Sequence, residues 1–271
     1  MSALDFITNV RRDALVAYIS GSTAVLEFGP YIRPTILDQD KKEYFVIDCF
    51  TEDELRKYAE NNSEDGANIP KVDMVIDPLT VEVPESLLGK FDLVIANHVF
   101  EHLIDPFRWL TEWEKVLTQN GKMILCIPDK KYSFDKFRSD TTLSHLLSDF
   151  LLGGERSLPE HLIDCGLLYA STDMNFENEF ERRLNRVFIE NSLNNYQPGL
   201  HVHVFQFEVF VESILRPFTV LNYTNLDLLD SGLLSSIGEF FVVLSKSPTS
   251  SKAMQAQRLF HESQDSYRFF E

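Results

Sequence analysis

At 271 residues with 44% hydrophobic content, the chain is long enough to bury an α/β core without disulfide or metal staples. A formal net charge of −17 sets its surface against phosphate backbones, because nonspecific nucleic-acid binding rests on Lys and Arg releasing counterions. Neither nucleic acid nor an anionic membrane is an expected partner. Cys49, Cys126 and Cys165 are odd in number, widely spaced and without a CxxC pattern, so no disulfide framework or zinc site is expected and a reducing cytoplasm is the expected location. Asp5, Arg11, Arg12 and Asp13 fall where a signal peptide would be apolar, and no apolar run approaches membrane-spanning length.

From residue 24 to residue 129, short β-rich runs alternate with amphipathic stretches, as in βαβ units around a parallel sheet. The predicted strands are residues 24–29, 44–48, 72–77, 91–97 and 122–128, each mostly apolar and closed by polar or turn residues. A helix is predicted over 51–61, with Thr51 as N-cap and Glu54 completing a capping box. Another is predicted over 105–118, where Asp-Pro opens the helix, Phe107, Leu110, Trp113 and Leu117 share a face, and Asn120-Gly121 ends it. Trp109 and Trp113, four apart, read as core or interface. The alternation stops between residues 130 and 200, which reads as a mainly helical insertion over the carboxyl ends of the strands. Residues 207–215 read as a helix, 218–227 and 239–246 as two closing strands, and 248–271 as a polar tail with a few aromatic anchors. The expected organisation is one doubly wound α/β domain over 1–247.

In such a sheet the ligand lies outside the carboxyl ends of the strands. Those ends carry Glu27-Phe28-Gly29-Pro30, Asp48, Asp77, Asn97-His98 and Pro128-Asp129. A dinucleotide needs GxGxxG for close approach of its pyrophosphate, yet the loop here reads GPYIRP, and no GxxxxGK[ST] exists. What remains is a ligand with adenosine but no phosphate, with Asp48 placed to accept from ribose hydroxyls. S-adenosylmethionine has that composition.

The stretches VLEFGPYIRP (25–34), FDLVIANHVFEHLID (91–105), VLTQNGKMILCIPDKKYSF (116–134) and HVHVFQFEVF (201–210) resemble the class I methyltransferases. They are closest to a bacterial branch associated with glycan biosynthesis. The resemblance implies a doubly wound, mostly parallel seven-stranded sheet, Rossmann-like, with a helical insertion after strand five. It also implies that Glu27, Gly29 and Pro30 lie along the methionine and ribose of S-adenosylmethionine, that Asp48 takes the ribose hydroxyls, that the Asp77 region flanks adenine, and that Asn97 and His98 back the methionine. The loss of the second and third loop glycines departs from the family at large.

Methyl transfer is an in-line displacement that requires a positioned nucleophile and, for a hydroxyl, a base. Histidine is the natural choice. The candidates are His98, His102, His201 and His203, with Asp129 to orient one of them or to bind a substrate hydroxyl; His102, Asp129 and His203 are the expected catalytic set. His102 reads equally as a loop-orienting residue. The alternation in HVHVF puts His201 and His203 on one face, either of a cavity or of a solvated edge. His98 and His102 are four apart but lack the HExxH order, so no metal is expected. Lys130, Lys131 and Arg138 read as an anion-holding trio for an acidic acceptor or as ordinary loop charge. The pair Tyr132 and Lys136 has YxxxK spacing, discounted because the glycine loop of an oxidoreductase is missing. The leading expectation is a methyltransferase acting on a small polar acceptor, a sugar or glycan intermediate. The alternative is a catalytically silent, cofactor-binding subunit. The anticipated partners are the acceptor and, at most, a second copy of the chain in a homodimer.

Overall fold

The computed structural model describes residues 3–37, 40, 42–77, 81–169 and 199–247. The predicted tail, and the part of the insertion over 170–198, lie outside the described residues. In chain order the main elements are α1 (Ala3–Ser20), β1 (Ala24–Phe28), β2 (Glu43–Asp48), α2 (Glu52–Asn61), β3 (Met74–Val75), β4 (Phe91–Asn97) and α3 (Pro106–Trp113). They continue with β5 (Leu117–Pro128), α4 (Leu143–Leu152), α5 (Leu158–Tyr169), a helical run α6 over 207–220, β6 (Leu226–Leu234) and β7 (Glu239–Lys246). No described helix is long and apolar enough to cross a membrane.

The strands form one seven-stranded sheet in the order β3-β2-β1-β4-β5-β7-β6. All neighbours from β3 to β5 pair in parallel, while β7 runs antiparallel to both β5 and β6. This is the expected doubly wound, mostly parallel seven-stranded sheet, and β1 beside β4 is the point where strand order reverses. The period-two alternation of the strands divides the core into two layers. Leu26, Phe28, Val94, Ala96, Met123, Leu125 and Ile127 face α3 and α6, whereas Val25, Leu93, Ile95, Ile124 and Cys126 face Leu15 and Ile19 of α1.

Several boundaries differ from expectation. Helix α3 stops at Trp113, and β5 begins at Leu117, five residues before the predicted strand start. Pairing of β5 with β4 jumps from Phe91↔Leu117 to Leu93↔Lys122, so Asn120, at φ 62°, and Gly121 sit in a bulge rather than at a helix end. Strand 72–77 contracts to Met74–Val75. The strand predicted over 218–227 is instead the end of α6, and β6 starts at Leu226. Within α6 a π turn over Phe210–Leu215 precedes Pro217, the widened spacing accommodating a residue that has no N–H to donate. Helix α1 was not among the predicted elements, because its core-facing residues include Arg11, buried to 3% exposure in an ion pair.

The two tryptophans are core residues. Trp113 is fully buried and meets Phe28 edge-on at 4.4 Å between ring centroids, with Trp109 against the same ring at 4.9 Å. These contacts clamp α3 onto the carboxyl end of β1. Trp113→Ala is expected to lower unfolding free energy in urea by about 3–5 kcal/mol, whereas Trp113→Phe, which keeps most of the volume, costs under about 1.5 kcal/mol. Equal losses would place Trp113 outside the packed core.

Candidate active site

Loop 29–35 leaves β1 through Gly29, whose φ of 54° suits a residue without Cβ and whose N–H donates to the Ile47 carbonyl at 2.9 Å. A tight turn follows, the Arg33 N–H donating to the Pro30 carbonyl at 2.8 Å. Glu27 holds this loop from below. Its carboxylate has no solvent exposure and accepts from the Thr35 N–H at 3.0 Å, the Tyr44 hydroxyl at 2.7 Å and the Asn97 amide at 3.3 Å. Burial pushes its pKa up, and those donors oppose the shift. Glu27 thus acts as a brace inside the protein. Pro30 is buried and Gly29 half-buried.

Asp48, at the end of β2, is 7% exposed and accepts from the Phe50 N–H at 3.0 Å; burial raises its pKa. Asp77 is exposed beyond β3. Asn97 donates to the Thr35 hydroxyl at 2.6 Å, while its buried Oδ1 has no protein partner. Gly29, Asp48, Asn97 and His98 therefore sit at the carboxyl ends of β2, β1 and β4, around the switch point.

From His98 a charged chain runs along the rim. Arg11 makes a double contact with Glu239, at 2.7 Å and 3.1 Å, and Glu239 lies 2.7 Å from His98 Nε2. On its other side His98 Nδ1 is 3.4 Å from Glu101. Glu101 is 1% exposed and also has His102 Nε2 at 3.8 Å and His201 Nε2 at 4.0 Å. His201 Nδ1 then meets Asp135 at 2.6 Å, and Asp135 meets Arg138 at 2.8 Å. Burial alone would raise the Glu101 pKa, but His98, His102 and His201 outweigh it and hold it at about 2. Burial alone would lower the His98 pKa, but Glu101 and Glu239 raise it to about 9 even though a third of the side chain meets solvent. Burial lowers the His102 pKa and Glu101 only partly restores it, leaving a neutral imidazole near pH 7.

The three expected catalytic residues do not form one constellation. His102 stands in the rim cluster, with Nδ1 at 3.0 Å from the Leu200 carbonyl and its ring edge-on to His201. Asp129 is fully buried, and its two oxygens accept from the N–H groups of Lys131 at 2.8 Å and Phe207 at 3.1 Å, so it is a turn cap. His203 is fully buried and packs against His145 and His161. Segment 199–206 forms no strand, so His201 and His203 enter different clusters. Nor do the three basic residues form an anion site: Lys130 contacts the Arg138 carbonyl and Asp140, Lys131 contacts Glu208, and Arg138 contacts Asp135 and Asp164. Glu101, Glu239, Arg11 and Asp135 escaped sequence reasoning. The one local signal was an acid flanked by His98 and His102.

The raised pKa of His98 contributes stability that is fully present below about pH 6.5 and is lost as pH rises through about 9. The depressed pKa of Glu101 contributes stability present above about pH 4.5 and lost as pH falls towards about 2. Tm is therefore expected to decline from about pH 7 to about pH 9, and His98→Gln to melt lower at about pH 6 with most of that decline removed. An unchanged alkaline decline in His98→Gln assigns it to another group.

Comparison with known proteins agrees with this fold. Residues 36–125 match the family model described as a methyltransferase domain. No curated protein matches the chain. Among solved structures, a Rhodobacter sphaeroides protein named provisionally as a Zn-dependent alcohol dehydrogenase aligns at 15% identity and TM-score 0.53, over 88% of this chain and 89% of that one. At that identity the likeness is one of fold. A SAM-dependent methyltransferase from Aquifex aeolicus aligns at 11% identity and TM-score 0.41, over 90% and 96%. A provisionally named methyltransferase from Bacillus halodurans C-125 aligns at 10% identity and TM-score 0.45, over 89% and 100%; neither of these two is close enough to carry weight. The matched stretch, about a third of the chain, and the Rossmann-like strand order together support a class I, S-adenosylmethionine-dependent methyltransferase.

Proposed function

We propose that the enzyme methylates a hydroxyl or amine of a small polar acceptor, a sugar or glycan intermediate, with His102 as the general base. The observation that carries this reading is His102 itself, which combines 23% side-chain exposure at the rim with a lowered pKa. Its Nδ1–H donates to the Leu200 carbonyl, which leaves Nε2 as the basic nitrogen on the side of Glu101. Asp48 would hold the ribose hydroxyls, the Asp77 region would flank adenine, and Gly29 and Pro30 would line the methionine and ribose. Asn97 and His98 would back the methionine, and the unpartnered Asn97 Oδ1 suits its ammonium group. Glu27 acts through the loop it braces. Tyr31 and Ile32, standing where a pyrophosphate would need glycines, favour a cofactor without phosphate.

The cofactor supplies an electrophilic methyl group on a sulfonium. With that group bound, His102 Nε2 would take the proton that the acceptor oxygen or nitrogen loses on accepting the methyl group from the sulfonium. Glu101, kept ionised, stabilises the imidazolium that results. With Lys130, Lys131 and Arg138 all engaged by protein groups, and a net charge of −17, an uncharged polyol is favoured over a phosphorylated acceptor.

Isothermal titration tests the cofactor half. Micromolar binding of S-adenosylmethionine and S-adenosylhomocysteine, with none of NAD, is expected; binding of neither favours the silent-subunit reading, for which the single glycine of the first loop is the motive. With an acceptor in hand, His102→Gln is expected to lower kcat by about 10²–10⁴-fold with cofactor affinity unchanged. Wild-type kcat is expected to fall below a midpoint lower than the ordinary imidazole value and to stay level above it. A fall in cofactor affinity with unchanged kcat would remove His102 from the proton transfer.

A further inference from the structure

Behind the rim, the insertion builds a second cluster that methyl transfer does not use. His145 and Asp149 lie one turn apart on α4, His161 lies on α5, and His203 comes from segment 199–206. His145 Nε2 is 3.2 Å from His161 Nε2, and Asp149 Oδ2 is 3.3 Å from the first and 3.7 Å from the second. One ring nitrogen from each of the three histidines lies within 4.8 Å of the others. All but His145 are buried.

Two atoms in this cluster are buried without a hydrogen-bond partner: Asp149 Oδ2 and His203 Nδ1. Each belongs to a side chain fixed by its other end. Asp149 Oδ1 accepts from the Ser157 hydroxyl at 2.6 Å, and His203 Nε2 is 3.3 Å from the Ile104 carbonyl, which sets Nε2 as the N–H and Nδ1 as the bare lone pair. Anchoring of the second ring nitrogen by a carbonyl, and of the carboxylate by a hydroxyl, is how metal ligands are held. His145 Nε2 and His161 Nε2 share one hydrogen bond, but the two orphaned acceptors beside them are costly as they stand, and a cation would take all four atoms as ligands.

We propose that His145, Asp149, His161 and His203 bind one zinc ion in a closed, four-coordinate structural site. Ligand atoms about 2.0–2.1 Å from a tetrahedral zinc lie about 3.3 Å from one another, which the His145, His161 and Asp149 separations already approach. Four protein ligands leave no position for substrate, so the ion acts as a clamp. It joins α4, α5 and segment 199–206, and the His203 N–H, donating to the Glu101 carbonyl at 3.0 Å, connects that clamp to the rim. The ion would thereby fix the segment that carries His201 and the Leu200 carbonyl against His102. The pair His98 and His102, by contrast, is divided between the two sides of Glu101.

The test uses the tag-free full chain. Elemental analysis after dialysis against a weak chelator is expected to return one zinc per chain. Metal-free protein titrated with cobalt chloride is expected to develop the visible absorption of tetrahedral cobalt at one equivalent. Adding zinc chloride to the metal-free form is expected to raise Tm by about 5 °C or more. His145→Gln and Asp149→Asn, checked for folding by far-UV circular dichroism, are each expected to lose stoichiometric metal, while His102→Gln keeps it. His145 is part-exposed, so its replacement leaves the core intact. Folded wild-type protein that takes up neither zinc nor cobalt overturns the proposal. So does unchanged stoichiometry in both ligand variants, or loss of metal in His102→Gln, which would place the ion at Glu101.

Discussion

Glu101 is a carboxylate almost without access to water and neither of its oxygens is held by a hydrogen bond, so the offset to its burial is the charge of the imidazoles gathered beyond β4. Its neighbours come from separate parts of the chain: His98 and His102 from its own turn, and His201 from about a hundred residues later. Among the described residues, removing Glu101 would leave His98 with Glu239 and His201 with Asp135 as carboxylate neighbours, and would take from His102 the charge that favours its protonated state. The same arrangement separates the titrations of His98 and His102. His98, between two carboxylates, stays charged, while His102, sharing one carboxylate with two other imidazoles, stays neutral. One rim therefore offers a fixed cation and a base at the same pH.

Glu27 has the corresponding role at the other side of the switch point. A first loop with one glycine cannot wrap a phosphate, yet it still has to hold a fixed path, and the buried Glu27 carboxylate supplies this by gripping Thr35, Tyr44 and Asn97. Loop, β2 and β4 are thus tied to one group. The acid at the end of β1 thus shapes the loop from inside the protein.

Most of the sheet was legible in the sequence because period-two apolar runs are local signals. Strands β1, β2 and β4 fall within a residue of where their patterns place them, and the capping box at Thr51 and Glu54 forms as read. The failures share a physical cause, which is that a long-range partner changed the meaning of a local pattern. Arg11 hides α1 because its pairing with Glu239, 228 residues away, puts a charge on a core face. Asn120-Gly121, a helix-ending signal in isolation, becomes a bulge because β5 starts early to pair with Phe91. His201 and His203 alternate as in a strand, yet Asp135 draws one ring to the rim while the other packs on His145 and His161. Asp129 stood where catalytic acids stand, and the chain used it to cap two N–H groups.

How the cofactor stands relative to the base would be seen in a crystal structure of the complex with S-adenosylhomocysteine. The expected complex has ribose hydroxyls on Asp48, the amino-acid end against Asn97 and His98, and the sulfur facing a gap, wide enough for one acceptor group, that ends at His102. A thioether bound away from the β1–β4 switch point, or turned so that His102 lies behind the adenosine, would contradict it.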